Sequence, residues 1–252
     1  MPQRVLITAG ASGIGREMAR AFAATGAKVF TCDIDEPALD ALRAEIPGLL
    51  TSVCDMSSRA AIERMVPQAI SALGGLDVLI NNAGIAGPTA PTDAMPPEEW
   101  DRTLVVNITG MFDVTRLAIP ALKQSEAGCI VNMSSIAGRL GFINRSPYAA
   151  SKWAVIGFTK TLALELGGNG IRANAILPGA VAGERIERVF AGRARIANKS
   201  LDDVRAEAMA SQSIKAMVDP KDIAQLAVYL ASPAAKAISG QAIPIDNDRQ
   251  RT

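Results

Sequence analysis

Short runs of β-branched and aliphatic residues alternate with longer amphipathic stretches along nearly the whole chain. The runs predict strands over Arg4–Thr8, Lys28–Cys32, Leu49–Cys54, Leu76–Asn81, Gly128–Met133, Ile171–Ile176 and Ala242–Ile245. Helical periodicity fills the intervals, over Gly13–Thr25, Glu36–Glu45, Ser57–Leu73, Pro97–Gln124, Pro147–Gly167 and Pro220–Leu230. Alternation at this spacing implies right-handed βαβ crossovers, so the expected fold is α/β, a doubly wound parallel sheet of about seven strands with helices on both faces. Pro and Gly fall mostly at the joints, as at Pro47-Gly48, Gly74-Gly75 and Pro178-Gly179. No repeat or low-complexity linker interrupts the pattern, and residues 1–252 read as one domain. One stretch breaks the rhythm: 180–217 is rich in Arg, Glu and Ala, with helical character and no strand. It follows the sixth strand on the side where open α/β sheets bind ligands, and is either a substrate lid or a surface helical hairpin; we read it as the lid.

Composition narrows the chemistry. A 49% hydrophobic content suits parallel strands covered on both faces, and 26 basic against 25 acidic residues give no charge bias toward nucleic acid or a membrane surface. No signal peptide or transmembrane segment is expected, and the three cysteines (Cys32, Cys54, Cys129) lack metal-ligand spacing. They read as reduced thiols of a cytoplasmic protein. The chain has no histidine, which removes Ser-His-Asp and Cys-His activation and every imidazole-based metal site; no metal is expected. Proton transfer near neutrality then falls to a tuned tyrosine, lysine, carboxylate or thiol.

After the first strand comes Thr8-Ala9-Gly10-Ala11-Ser12-Gly13-Ile14-Gly15, opening into a helix. Small residues there let backbone N–H groups and the helix dipole approach a pyrophosphate. Asp33, 20 residues after Gly13, closes the second strand. Its carboxylate suits the two hydroxyls of an adenosine ribose and repels a 2′-phosphate, which favours NAD over NADP. Asp55, in Cys54-Asp55-Met56, either bounds the adenine or caps the helix from Ser57.

Tyr148-Ala149-Ala150-Ser151-Lys152 begins a long helix, and positions i and i+4 share a face. A unit charge about 4 Å away in a partly shielded site is worth on the order of 4 kcal/mol, enough to bring a phenol toward neutrality. The preceding strand ends in Met133-Ser134-Ser135, which puts a serine hydroxyl on the ligand side of the sheet, placed to hold a substrate oxygen.

Taken together, the glycine loop, Asn81-Asn82-Ala83-Gly84, Asn107, Ser135, Tyr148-x-x-x-Lys152 and Pro178-Gly179 resemble the short-chain dehydrogenase/reductase family over essentially the whole chain. The order matches, as does the 13-residue step from Ser135 to Tyr148. The resemblance implies a Rossmann-like fold and hydride transfer between a secondary alcohol and a ketone. Tyr148 is then the general acid/base, Lys152 lowers its pKa and holds the nicotinamide ribose, Ser135 positions the substrate oxygen, and Asn107 supports a water linking Lys152 to solvent. Cofactor contacts are expected from Gly10, Ser12, Gly13, Ile14 and Gly15 in the loop, from Asp33, Ile34, Asp55 and Met56 around the adenosine, and from Asn82, Ala83 and Gly84. Tyr148, Lys152, Pro178, Gly179 and Val181 complete the set near the nicotinamide. Members of the family usually form homodimers or homotetramers through the long helices. Three positions depart from the pattern: Ala9 stands for a glycine, Gly183 for a threonine, and Asp246-Asn247-Asp248 for Asp-Gly-Gly.

Ile136, Leu140, Phe142, Ile143, Asn144 and Arg145 should border a small-molecule substrate. Arg145, three residues before the tyrosine, is a candidate carboxylate anchor, and Arg185 and Arg188 in the lid are others. The expected substrate is a small polar hydroxy or keto acid or a sugar-derived acid. Reduction of 3-oxoacyl thioesters is an alternative, and a non-catalytic NAD-binding module is an alternative of another class.

Overall fold

The fold is known from a computed structural model that describes residues 2–250. Seven strands are assigned: β1 (Arg4–Thr8), β2 (Lys28–Asp33), β3 (Leu50–Val53), β4 (Val78–Asn81), β5 (Cys129–Met133), β6 (Arg172–Pro178) and β7 (Ala242–Ile245). They form one sheet in the order β3-β2-β1-β4-β5-β6-β7, with every pair parallel. The chain reverses its direction of travel across the sheet between β1 and β4, and the crevice outside that point receives the ends of both strands. Each strand lies within a residue or two of its expected bounds. The central strands are apolar on both faces because helices cover both, and β4 and β5 are buried along their whole length.

One face carries α1 (Gly13–Ala24), α2 (Glu36–Glu45) and α9 (Pro220–Ala231), where Met18 and Phe22 pack among Ile223, Ala227 and Leu230. The other carries α3 (Arg59–Leu73), α4 (Pro97–Leu104), α5 (Gly110–Leu122) and α6 (Ser146–Gly167). A buried polar chain crosses this second layer. Asn81 Nδ2 donates to Thr115 Oγ1 (2.9 Å) and Asn132 Oδ1 (2.8 Å), and Asn132 Nδ2 donates to Thr159 Oγ1 (2.9 Å). Buried amides are costly unless paired, so this chain fixes the register of α5 and α6 on the sheet. It thereby sets the height of the Tyr148 helix.

The helix expected over Pro97–Gln124 is broken in the middle. A π-helical turn, Val105–Thr109, separates α4 from α5. The apolar pattern runs through this turn; what breaks the ladder is the buried Asn107 side chain, which is engaged with other elements. The combined run Pro97–Leu122 is, among the described residues, the one helix long and apolar enough to cross a bilayer, and here it packs against α3 and α6.

The stretch 180–217 forms two helices, α7 (Glu184–Ala197) and α8 (Leu201–Ala210). Phe190, Val204 and Ala208 make a small core between them, and Arg205 on α8 pairs with Glu187 on α7. The pair is thus a helical hairpin with a small apolar core of its own.

Candidate active site

The site is assembled from the loops that leave β1, β4, β5 and β6. In the glycine loop, close approach explains the sequence. A Cβ on Gly10 would lie 1.9 Å from Thr31 Oγ1, and one on Gly15 would lie 2.1 Å from the Ala9 carbonyl oxygen and 2.6 Å from Asn82 Nδ2. Gly13 has φ +52°, the left-handed conformation that glycine adopts at no steric cost. Ala9 takes a left-handed φ of +55° although it carries a side chain, so the glycine conformation survives without the glycine. The loop is a cradle that bare backbone alone can form, which fits a pyrophosphate.

Asn82 braces that cradle. Its Nδ2 donates to the carbonyls of Thr8 (3.1 Å) and Ala9 (2.8 Å), and the N–H groups of Asn82 and Ala83 donate to Thr8 Oγ1 (both 3.0 Å). Asp33 Oδ2 accepts from Ala11 N (3.0 Å) and Oδ1 from Ile34 N (2.8 Å), which holds the carboxylate at the tip of β2 facing the loop. Ile34 and Val53 are exposed apolar side chains at the ends of β2 and β3, which together offer a surface suited to a flat ring; nothing in the sequence pattern singles out Val53. Met56 is buried behind them. Asp55 does not cap the following helix as one reading allowed. Its Oδ1 accepts from the N–H and hydroxyl of Ser57 (both 2.8 Å), and Ser58 caps α3 through Ala61 N. A local turn satisfies the aspartate before the helix starts.

At the ends of β4 and β5, Ser135, Tyr148, Lys152 and Asn107 come together. Lys152 is 3% exposed and donates to the Met133 carbonyl (2.9 Å). Ser134, to which the sequence pattern assigns no role, donates to the Lys152 carbonyl (2.8 Å) and pins that turn of α6 to β5. A Cβ on Gly84 would meet both Asn107 Oδ1 (3.2 Å) and Lys152 Nζ (3.3 Å), so glycine there leaves the ammonium room. Asn107 Oδ1 accepts from Ile85 N (2.7 Å), while its Nδ2 donates to the Ile85 carbonyl (3.1 Å) and Ser151 Oγ (3.0 Å). The amide is held on both sides by protein. Ser135 Oγ accepts from Ala137 N (3.1 Å) and donates to the Pro178 carbonyl (3.5 Å).

Burial opposes ionisation of that phenol, yet Arg185, Lys152, the Ser135 hydroxyl and Arg145 together hold its pKa below the ordinary 10. Burial pulls the Lys152 ammonium down to about 8, with the phenolate of Tyr148 opposing and Arg185 adding to the fall. The Arg145 and Arg185 guanidiniums stand 4.8 and 5.9 Å from the centre of the Tyr148 ring. Arg145 is 4% exposed, not solvated; its Nη2 donates to the Ala86 carbonyl (2.8 Å) and its Nε is buried without a partner. Arg185 Nη1 donates to the Gly84 carbonyl (3.0 Å) and so bridges from the first turn of α7 to the β4 loop. Between them opens a cleft of about 350 Å³ lined by Gly84–Gly87, Thr89, Arg185, Arg188 and Val189. Arg188 itself pairs with Glu184 across one turn of α7, on the solvent side.

The departures from the family pattern have structural reasons. Gly183 precedes α7 with φ +137°, a conformation closed to threonine without strain. Asn247 and Asp248 have φ +57° and +53°, so the glycine-pair backbone is kept by the two residue types that best tolerate it. Asn247 Nδ2 also ties to the Ala216 carbonyl (2.7 Å), and a Cβ on Gly179 would strike Asp246 Cα at 2.8 Å. The C-terminal turn therefore buttresses both Pro178-Gly179 and the return from the hairpin. Val181 makes a lone parallel bridge with Val218 at the same place.

A doubly wound sheet with a glycine cradle at its switch point and a tyrosine–lysine pair beside it defines a dinucleotide-dependent oxidoreductase. The chain belongs to the short-chain dehydrogenase/reductase family: a family model described as enoyl-(acyl carrier protein) reductase matches residues 8–247. It is an NAD(P)-dependent oxidoreductase acting on CH–OH groups. It is 37% identical to the D-beta-hydroxybutyrate dehydrogenase of Cupriavidus necator, over 93% of each chain. It is 36% identical to the 3-oxoacyl-(acyl-carrier-protein) reductase of Thermotoga maritima, over 96% of this chain and 95% of that one. Among solved structures, NAD+-bound xylitol dehydrogenase superposes with a TM-score of 0.93 at 28% identity, over 96% of this chain and 97% of that one.

Proposed function

We propose that this protein interconverts a small hydroxy acid and its keto acid, with NAD as the redox partner and Tyr148 as the proton-transfer group. One observation carries the substrate class: two guanidiniums, Arg145 and Arg185, flank the Tyr148 ring, and among the described residues neither has a carboxylate partner. Arg145 is buried, and a desolvated cation without a counter-ion costs free energy that a substrate carboxylate would return; Arg185 is exposed and adds positive charge at the mouth. The name of the Cupriavidus relative supports the same reading.

In oxidation, Ser135 holds the carbinol oxygen while the Tyr148 phenolate takes its proton, and a hydride leaves the carbinol carbon. A bound nicotinamide supplies the acceptor for that hydride. Lys152 stabilises the phenolate, Ser134 holds the Lys152 carbonyl, and Asn107 braces the neighbouring Ser151. The hairpin α7–α8 serves as the lid, with Arg185 closing over the substrate. Removing Arg145 (Arg145→Ala) should raise KM for hydroxy acids about 10-fold while KM for uncharged secondary alcohols stays level, since the loss is that of one charged hydrogen bond. Steady-state kinetics across both substrate classes tests this; an unchanged KM for every acid sinks the anchor.

The NAD preference rests on Asp33 at the ribose end of the cradle. Asp33→Ser should shift the ratio of kcat/KM for NAD over NADP toward NADP by about 10-fold, because a like-charge clash with a 2′-phosphate is removed. A wild-type ratio already favouring NADP contradicts the assignment and would instead favour the 3-oxoacyl reductase reading that the Thermotoga relative's name supports. We also read the protein as a cytoplasmic homodimer or homotetramer. Exposed Trp153 and Leu164 on α6 and Phe112 on α5 support association through the long helices.

A further inference from the structure

Behind the loop that carries Arg145, a second cavity of about 540 Å³ opens against the helical hairpin. Its lining divides by chemistry. Ile196 and Ala197 of α7 with Val204 and Ala208 of α8 give an apolar wall, whereas Arg193 and Arg249 both point guanidiniums at the Phe142 ring, each 5.4 Å from its centre. The one carboxylate in the lining, Glu207, is already paired with Lys199. Among the described residues Arg193 has no carboxylate partner, and its Nε is buried without a hydrogen bond. Burial also lowers the pKa of Arg193, and Arg193 in turn acts electrostatically on Arg145. Arg193 thus lies within electrostatic reach of Arg145, the guanidinium that stands over the Tyr148 ring. A partly desolvated guanidinium stacked on an aromatic ring, with its edge unpaired, is a built anion receptor.

We propose that this cavity is a second anion subsite, which takes the distal carboxylate or phosphate of a substrate carrying two acidic groups joined by a short apolar spacer. The inference rests on the hydroxy-acid reading for the group held near Tyr148, but the cavity's own chemistry is independent of turnover. The apolar wall accommodates the spacer and Arg193 receives the terminal group, so an acid with only one charge leaves Arg193 unpaired.

Calorimetric titration of the full chain without cofactor tests the subsite directly, with glutarate, inorganic phosphate and butyrate as probes. Glutarate or phosphate should bind about 10-fold or more tightly than butyrate, in keeping with one charge-assisted hydrogen bond. Which of the two does so identifies the terminal group. The margin should collapse in Arg193→Gln and persist in part in Arg193→Lys, where a point charge replaces the fork. In kinetics, the ratio of kcat/KM for a hydroxydicarboxylate over the monocarboxylate of equal chain length should fall about 10-fold in Arg193→Gln. Equal affinity of the wild-type chain for all three probes overturns the subsite, as does a margin that neither substitution alters. If no hydroxy acid is turned over while dianion binding still depends on Arg193, the substrate reading fails and the subsite stands.

Discussion

Tyr148→Phe is expected to lower kcat by about 10²- to 10⁴-fold, the range a positioned acid/base group contributes, while the dissociation constant for the cofactor changes little. The substitution removes one oxygen from a ring that otherwise keeps its packing between Arg145 and Arg185. What it takes away is the phenol that the surrounding cations hold below its ordinary pKa of 10. Histidine is absent from the chain, so no imidazole can stand in. The sign of the pH dependence follows from the same contacts. Lys152 and the two arginines favour the phenolate, so alcohol oxidation should rise with pH along a limb centred below the ordinary phenol value of 10. Removing a cation, as in Arg185→Gln, should move that limb to higher pH. Turnover by the phenylalanine variant within a few-fold of wild type would end the tyrosine assignment.

The second large effect lies at the other end of the site. Gly15→Ala should weaken dinucleotide binding about 100-fold, read as the dissociation constant by fluorescence or calorimetric titration. The added Cβ would sit 2.1 Å from the Ala9 carbonyl oxygen and 2.6 Å from Asn82 Nδ2. Neither neighbour is a free side-chain end: one is backbone, and the other is committed to the Thr8 and Ala9 carbonyls. Relief requires the β1–α1 loop to move away from β4, which deforms the cradle. Overpacking of this kind costs about 1–3 kcal/mol, equivalent to roughly 10- to 100-fold in affinity, and the contact here is at the severe end. Gly26→Ala is a useful contrast. That glycine also has a left-handed φ (+81°) but faces open space, so its substitution should cost stability and leave affinity alone.

Much of this site could be read before any coordinates because its parts are local. A glycine cradle, an aspartate at a strand end and a tyrosine one helical turn before a lysine are each set by spacing within a few residues, and the sheet topology then brings them together. The parts that could not be read depend on contacts distant in sequence. The π-turn at Val105–Thr109 exists because Asn107 is claimed by Ile85 and Ser151, and nothing in the helical periodicity announces that. Arginine is usually a solvated residue, so only the packing of the loop against α7 shows that Arg145 is buried on the Tyr148 ring. The same holds for Arg193 against Phe142. One unexplained feature did carry a usable signal: Asn247-Asp248 are the residue types that accept a left-handed backbone, and both adopt it.

The central claim is that the Tyr148 phenol is made unusually acidic by the cations around it. The chain has two tyrosines, and Tyr229 lies half exposed on α9, where its replacement by phenylalanine removes only a surface hydroxyl. An ultraviolet titration of Tyr229→Phe therefore follows a single phenol. We expect phenolate to form below pH 10, and to require a higher pH once Lys152→Met or Arg185→Gln is added. A phenol that ionises at or above pH 10, at the same point with and without those cations, would contradict the account.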